Sequence, residues 1–386
     1  MAYWDPFSVV GDSLIETPQT GADVRPTVGA STDGAKDWTS TRISKKDFDA
    51  VVNQMHAGLY DLPPWNKSPN TLPDLSWHAP GCKFEDWQHT KVRVEISQGI
   101  AYIILNNAED DNRLTDQVIA GLCDAILLLH SRTDIRMAVF MGEGKMFCGG
   151  MHPSGDSMNG FLMAGLSTKV GTARKELEQR ALESGCSPDG RVDMARLLQA
   201  KMWHTLFRVP QFTVCLLNGS VIGDGLGFLA VCDTVVAAKH VFLHYGEVKR
   251  GLVNAVIMPY LVSKLGMSNS KCMVCAAENV TAEKAMRVGL VQEVVGSLED
   301  GHDKVAELAQ VLTGCGPGSV KTAKRLITGV AGRAITEGVM FFCGAMIATV
   351  TVSDEAKTGM VAVQARTLKP WEETPIQPLY GKAPDK

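Results

Sequence analysis

Two short glycine segments constrain this chain more than any other feature, because each sits directly after an apolar run of strand length. "GKMFCGGMHP" follows "MAVFM", and "NGSVIGDGLG" follows "FTVCLL" and leads into the apolar "FLAVC". A glycine turn between a buried strand and an apolar helix leaves backbone N–H groups outside the regular hydrogen-bond ladders. At the start of a helix those groups share its partial positive charge. Two such turns aimed at one point would make an oxyanion hole, which in measured systems contributes roughly 2.7–4 kcal/mol per donor. The glycines alone fit tight strand-to-helix connections that hold nothing better than they fit a ligand site. Neither segment fits the dinucleotide pattern G-x-G-x-x-G or the phosphate loop G-x-x-x-x-G-K-[ST].

The surrounding periodicity is that of an α/β protein. "KVRVEISQGIAYIILNN" predicts two strands about a turn at Gly99, and "TDQVIAGLCDAILLLHSR" predicts an amphipathic helix with Thr115 as its N-cap. "IRMAVFMGEG" and "FTVCLLNG" predict buried strands, and "DTVVAAKHVFLHYGE" a further strand pair. After them "MPYLVSKLG" reads as a helix and "TAEKAMRVGLVQEVV" as helix, turn and strand. The stretch from about 303 to 366 is helical throughout, and "TARKELEQRALESG" predicts an exposed charged helix. Repeated β-β-α units closing in helices define the expected fold class. Residues 1–90 differ: Pro, Gly, Asp and Thr are scattered without steady period, which predicts a partly irregular extension. The expected organisation is therefore an extension over 1–90, a spiral core over 91–300, a helical region over 301–371 and a tail over 372–386.

Composition excludes several classes. The 386 residues carry a formal charge of −4 with no basic stripe, so nucleic acid is not an expected partner. No apolar run reaches the about 18 residues of a membrane span, and the start lacks the pattern of a secretory signal. A soluble intracellular protein is expected, in the cytoplasm unless an organelle holds it. The ten cysteines sit mostly in apolar segments and read as small buried hydrophobes. Cys272 and Cys275 in "KCMVC" lack a second pair at metal-ligand spacing, so they read as helix packing and no metal is expected.

The series "MFCGGMHP", "NGSVIGDGLGFLAVCD", "VFLHYGEVKRGLVNAVIMPYLVSKLG", "TAEKAMRVGLVQEVV" and "SDEAKTGMVAVQARTLKPW" resembles the enoyl-CoA hydratase/isomerase (crotonase) superfamily over roughly residues 91–371. The resemblance implies the β-β-α spiral, an acyl-CoA or acyl carrier protein thioester as substrate, no separate cofactor, and a homotrimer or hexamer. It implies that the amides of Met151 and Asp224 hold the thioester oxygen, and that Gly149, Gly150, Pro153, Gly223 and Gly225 border the bound thioester. His152 stands where many members carry Asp. Of the family's two acid/base carboxylates, one position is Gly227 here and the other is Glu247. Asp224 could supply a second carboxylate from its side chain. His244 and Tyr245 stand beside Glu247 as possible proton donors, and Lys249 and Arg250 could meet a distal carboxylate on the substrate.

A single carboxylate beside an enolate-stabilising site suits transfer of a proton at the α or γ carbon. The implied reaction is hydration or dehydration of a 2-enoyl/3-hydroxyacyl thioester. A Δ3-Δ2 isomerase, a thioester decarboxylase and a catalytically silent assembly protein are the alternatives. "GEVKRGLVNAVIMP" is most similar to branches acting on 3-methylglutaconyl-CoA or 3-hydroxy-3-methylglutaryl thioesters, with Gly246 and Asn254, the latter where proline is usual, as departures. "FCGGM" also resembles a turn of the dehydratases of polyketide β-branching.

Overall fold

The structure, a computed structural model, describes residues 87, 89–151 and 194–382. The expected irregular extension, the charged helix of "TARKELEQRALESG", His152 and Pro153 lie outside the described residues. The chain divides into two compact units, one holding residues 75–174, 193–325 and 351–386. Among the described residues the other unit contributes only 326–350. No single helix among the described residues is long and apolar enough to cross a membrane.

The first unit is built on two sheets that the chain visits alternately. Strands β1 (Val92–Ser97) and β2 (Ile100–Leu105) form an antiparallel pair about Gly99. Helix α1 (Asp116–Ser131) starts at Thr115, whose hydroxyl accepts the Val118 N–H at 3.4 Å, as its N-cap position predicts. β3 (Met137–Gly142) then enters the large sheet and β4 (Met146–Cys148) the small one. Helix α2 (Met194–Phe207) precedes the next turn of the spiral, β5 (Phe212–Leu217) and β6 (Ser220–Ile222). A 3-10 turn over Gly223–Leu226 and the short α3 (Gly227–Val231) follow, then β7 (Thr234–Ala238) and β8 (Phe242–His244). The large sheet has the order β1-β2-β3-β5-β7-β10 and the small sheet the order β4-β6-β8-β9, where β9 is Asn279–Thr281 and β10 is Glu293–Val295. The expected strand pair in "DTVVAAKHVFLHYGE" exists as two strands, but they do not pair with each other. β7 joins the large sheet and β8 the small one, because the turn at 239–241 carries the chain from one layer to the next.

Apolar runs rather than alternating ones mark the large sheet, and all six residues of β2 are buried. That is the behaviour of parallel strands covered on both faces. Ala101, Ile103, Leu105, Phe140, Cys215 and Leu217 pack toward α1, α2 and α3. The alternate positions Ile100, Tyr102, Ile104, Val139, Val214 and Leu216 pack with Val305, Ala309 and Leu312 of α6 (Leu298–Thr313). The period-two side-chain alternation of a strand thus serves two cores at once. Helices α4 (Met258–Cys275) and α5 (Ala282–Arg287) lie between these strands in sequence, and α7 (Pro317–Val330) and α9 (Asp354–Ala365) follow α6 on either side of α8 (Glu337–Thr351). Cys272 and Cys275 are exposed, one turn apart on α4.

Candidate functional site

The small sheet positions the site, because its three parallel strands β4, β6 and β8 each end in a residue of interest. After β4 come Gly149, Gly150 and Met151. The Gly149 N–H donates to the Asp111 carbonyl at 2.8 Å, and the Gly150 carbonyl accepts from the Leu114 N–H at 2.8 Å. Leu114 and Met151 form an isolated parallel bridge. In the bridge pattern that uses the Gly150 carbonyl, the amide of Met151 faces away from Leu114. Asn112 holds this arrangement together from a fully buried position at φ 52°. Its Nδ2 donates to the Glu143 and Met146 carbonyls at 2.8 and 2.7 Å, and its Oδ1 accepts the Asn107 N–H at 2.8 Å.

The two glycine segments interlock. Gly150 has φ 80°, and a Cβ there would meet the Ile222 carbonyl oxygen at 2.7 Å and stand 3.7 Å from the Asp224 nitrogen. A Cβ on Gly225 would meet the Cys148 sulfur at 2.8 Å. The turn ahead of Met151 and the turn carrying Asp224 are therefore in direct backbone contact, as two amides serving one oxygen require. Asp224 is 8% exposed in the first turn of its 3-10 helix. The Cys148 thiol pKa is pushed up to about 12, chiefly by burial and further by the Asp224 charge.

Glu247 follows β8 and opens a 3-10 turn over Glu247–Arg250. It is 8% exposed, and its Oε1 lies over Gly223, where a Cβ would approach it to 2.0 Å. Gly223, at φ 57°, is thus required by backbone conformation and by the closeness of the carboxylate. Oε1 also receives Arg250 Nη2 at 3.5 Å, while Oε2 is buried and has no hydrogen-bond partner among the described residues. The Arg250 side chain is 55% exposed and reaches Glu247 from the solvent side, and Lys249 is exposed. Tyr245 is fully buried with no partner for its hydroxyl among the described residues, and burial raises its pKa well above the usual value, as does the Glu247 charge. His244 is half-buried with its Nδ1 unpartnered, and a Cβ on Gly246 would meet its Nε2 at 2.6 Å.

The expected sites thus separate into those the fold brings together and those it does not. Gly149, Gly150, Met151, Gly223, Asp224, Gly225, Tyr245 and Glu247 gather at the ends of adjacent strands. Arg250 joins them only through Glu247. Three residues with no place in the expected site also belong to this neighbourhood. Asn112 carries a signal only in its left-handed backbone, a conformation that Asn tolerates better than most residues. Trp203, on α2, packs where a side chain on Gly227 would go: a Cβ there would meet its Cε2 and Cζ2 at 2.6 and 2.7 Å. Asn254 heads the 3-10 turn Ala255–Ile257 and is fully buried.

Residues 193–374 match the family model described as Enoyl-CoA hydratase/isomerase. A Thermus thermophilus protein named as an enoyl-CoA hydratase is 25% identical over 249 residues, covering 64% of this chain and 87% of its own. A Rhodobacter capsulatus protein similarly named is 28% identical over 227 residues, 58% of this chain and 76% of its own. An enoyl-CoA hydratase/isomerase structure from Marinobacter aquaeolei superposes with a TM-score of 0.61 at 20% identity, covering 73% of this chain and 99% of its own. An enoyl-CoA hydratase structure from Shewanella pealeana gives 0.60 at 19% identity, over 74% and 97%. The two structures speak for the fold alone; the family match, over just under half of the chain, and the sequence relatives make this chain similar to proteins of the enoyl-CoA hydratase/isomerase (crotonase) superfamily.

Proposed function

We propose that the protein interconverts a 3-hydroxyacyl thioester and its 2-enoyl product, with CoA or a carrier-protein phosphopantetheine arm as the handle. The single observation that carries this reading is the seat of Glu247: its Oε1 lies over Gly223, one residue from the Asp224 amide, and its Oε2 is buried and unpartnered. In the dehydration direction Glu247 takes the α-proton, and the electron pair moves onto the thioester oxygen as an enolate. The amides of Met151 and Asp224 stabilise that charge. The enolate then expels the β-hydroxyl, which leaves as water with the proton returned by Glu247, and the 2,3 double bond forms. One carboxylate suffices for both transfers. The distal carboxylate of the methylglutaconyl- and hydroxymethylglutaryl-type substrates would fall to Arg250 in this reading. No metal or further cofactor enters the proposed steps.

The test is turnover of 3-hydroxybutyryl-CoA, followed by the absorbance of the conjugated enoyl thioester, for wild type and Glu247→Gln. The variant is expected to lose about 100-fold or more, the range of general acid–base catalysis. Full activity in the variant, or no turnover and no thioester binding by the wild type, refutes the proposal. The second reading is a Δ3-Δ2 isomerase. It is favoured by the glycine at 227, which leaves Glu247 as the one carboxylate at the two acid/base positions of the family resemblance, and a shifted 3-enoyl bond in place of dehydration would establish it. Exposed Met340, Phe341 and Ile347 on α8 support the homo-oligomer that the family resemblance implies.

A further inference from the structure

The end of α4 carries reactive groups that the acyl site leaves unused. Among the eight described cysteines, Cys272 and Cys275 alone are exposed. The helix packing expected of them falls instead to Met273 and Val274, which are buried between them, and to Ser270. Residues three apart share one face of a helix, so the two thiols stand side by side toward solvent. Lys271, also exposed, precedes Cys272 directly and Cys275 by four residues, which puts its cation on the same face. α4 has no acidic side chain, and Glu278, the nearest acid along the chain, is paired with Lys284.

In a helix such a pair has Cα atoms about 5 Å apart and Cβ atoms about 5–6 Å apart. A disulfide accepts the first distance and needs the second reduced to about 3.5–4.5 Å. The place of the pair makes that closure accessible. Cys275 is the last residue of α4, and the Ala277 and Glu278 N–H groups donate to the Val274 and Met273 carbonyls at 3.1 Å each, with Ala277 at φ 48°. The helix ends in this left-handed closure, so its final turn can tighten with no further turn beyond it to disturb. We propose that Cys272 and Cys275 form a reversible dithiol–disulfide site that exchanges with small anionic disulfides of the glutathione class. One thiolate of the pair attacks a sulfur of the small disulfide; that S–S bond breaks, a mixed disulfide forms and one small thiolate leaves. The second cysteine's thiolate then attacks the protein-bound sulfur and displaces the other small thiolate. The pair gives up two electrons and two protons, and the small disulfide becomes two thiols. Lys271 meets the anionic partner, with no carboxylate on α4 to oppose it. An exposed bond closed against helix geometry is readily reduced again, which makes the exchange reversible. The inference is independent of the acyl-thioester reading.

The test treats the reduced full chain with glutathione disulfide, traps the remaining thiols with N-ethylmaleimide and reads peptide masses. Trypsin releases both cysteines in one peptide, residues 272–284, so the closed disulfide appears two hydrogens lighter than the dithiol and the mixed disulfide heavier by one glutathione. The wild type should hold at least about tenfold more closed than mixed disulfide, because the neighbouring thiol acts at an effective concentration of millimolar order. Excess reduced glutathione should restore the dithiol. Cys272→Ser and Cys275→Ser should each stop at the mixed disulfide on the remaining thiol, and both reduced variants should melt with the wild type. The buried Cys148, Cys215 and Cys232 should stay unmodified in every sample. An untouched pair, a mixed disulfide as the wild type's end product, or a closed bond that reduced glutathione does not reopen overturns the inference. So does equal modification of the buried cysteines, or a lowered melting temperature in either variant, since the thiols would then be packing residues.

Discussion

Replacing Gly227 with alanine tests whether Trp203 fills the space that a side chain at 227 would need. The backbone there is helical, at φ −57° and ψ −36°, so local propensity favours alanine by about 1 kcal/mol. Packing opposes it. The new methyl would meet Trp203 Cε2 and Cζ2 at 2.6 and 2.7 Å, inside the distance real Cβ atoms keep, and Ile257 Cγ2 at a tight 3.0 Å. The indole cannot retreat easily, since it is fully buried and holds an edge-to-face contact with Phe228 at 4.8 Å between centroids. Overpacking of a rigid core costs about 1–3 kcal/mol, and contacts this short belong in the upper half of that range. The expected net loss is about 1–2 kcal/mol. In a Trp203→Leu background the obstructing ring is gone, and the same substitution should instead stabilise by about 1 kcal/mol. The coupling energy between the two positions is then about 2–3 kcal/mol, well above the scatter of independent sites. Urea unfolding of the wild type, both single variants and the double variant measures it. Equal effects of Gly227→Ala in both backgrounds would refute the steric account, and so would stabilisation in the wild type.

Two further outcomes follow from named contacts. Gly223→Ala forces a Cβ to 2.0 Å from Glu247 Oε1 at a backbone φ of 57°, so steady-state kinetics should show kcat down by about 100-fold with the KM for thioester little changed; an unaltered kcat would mean the carboxylate is not where the proton moves. His204 has its pKa pushed down by burial from 6.5 to about 4, so between those values the unfolded chain takes up a proton that the folded one refuses. Stability should be level above pH 7 and fall as pH drops through that window, His204 contributing a slope of at most about 1.4 kcal/mol per unit, and His204→Asn should lessen the fall of the urea midpoint between pH 7 and pH 5. His130, lowered by burial too, adds to the same slope and remains in the variant as an internal comparison.

What could be read from the sequence is what local chemistry determines. Thr115 caps its helix, β1 and β2 turn about Gly99, the run Met137–Gly142 is a buried strand, and the glycine turns after β4 and β6 meet. Each depends on residues near one another in the chain, or on a resemblance that already encodes their meeting. The assignment of β7 and β8 to different sheets was not legible, because both are short and apolar and only three-dimensional pairing distinguishes them. Nor was the place of Trp203. An indole on an apolar helix looks like any core residue until the glycine it faces, 24 positions later, is brought against it. Asn254 was visible only as an asparagine where proline is usual. That it is fully buried with both amide atoms unpartnered is a property of the packed protein.

The small sheet's parallel strands act as a ruler. Neighbouring strands lie about 4.8 Å apart whatever their side chains, and consecutive rungs β4, β6 and β8 deliver Met151, Asp224 and Glu247 in that order. Spacing between these groups is consequently a property of main-chain pairing, insensitive to drift elsewhere in the molecule. Descendants of such a chain can exchange the residue at one tip and change their chemistry while the scale on which it is laid out stays fixed.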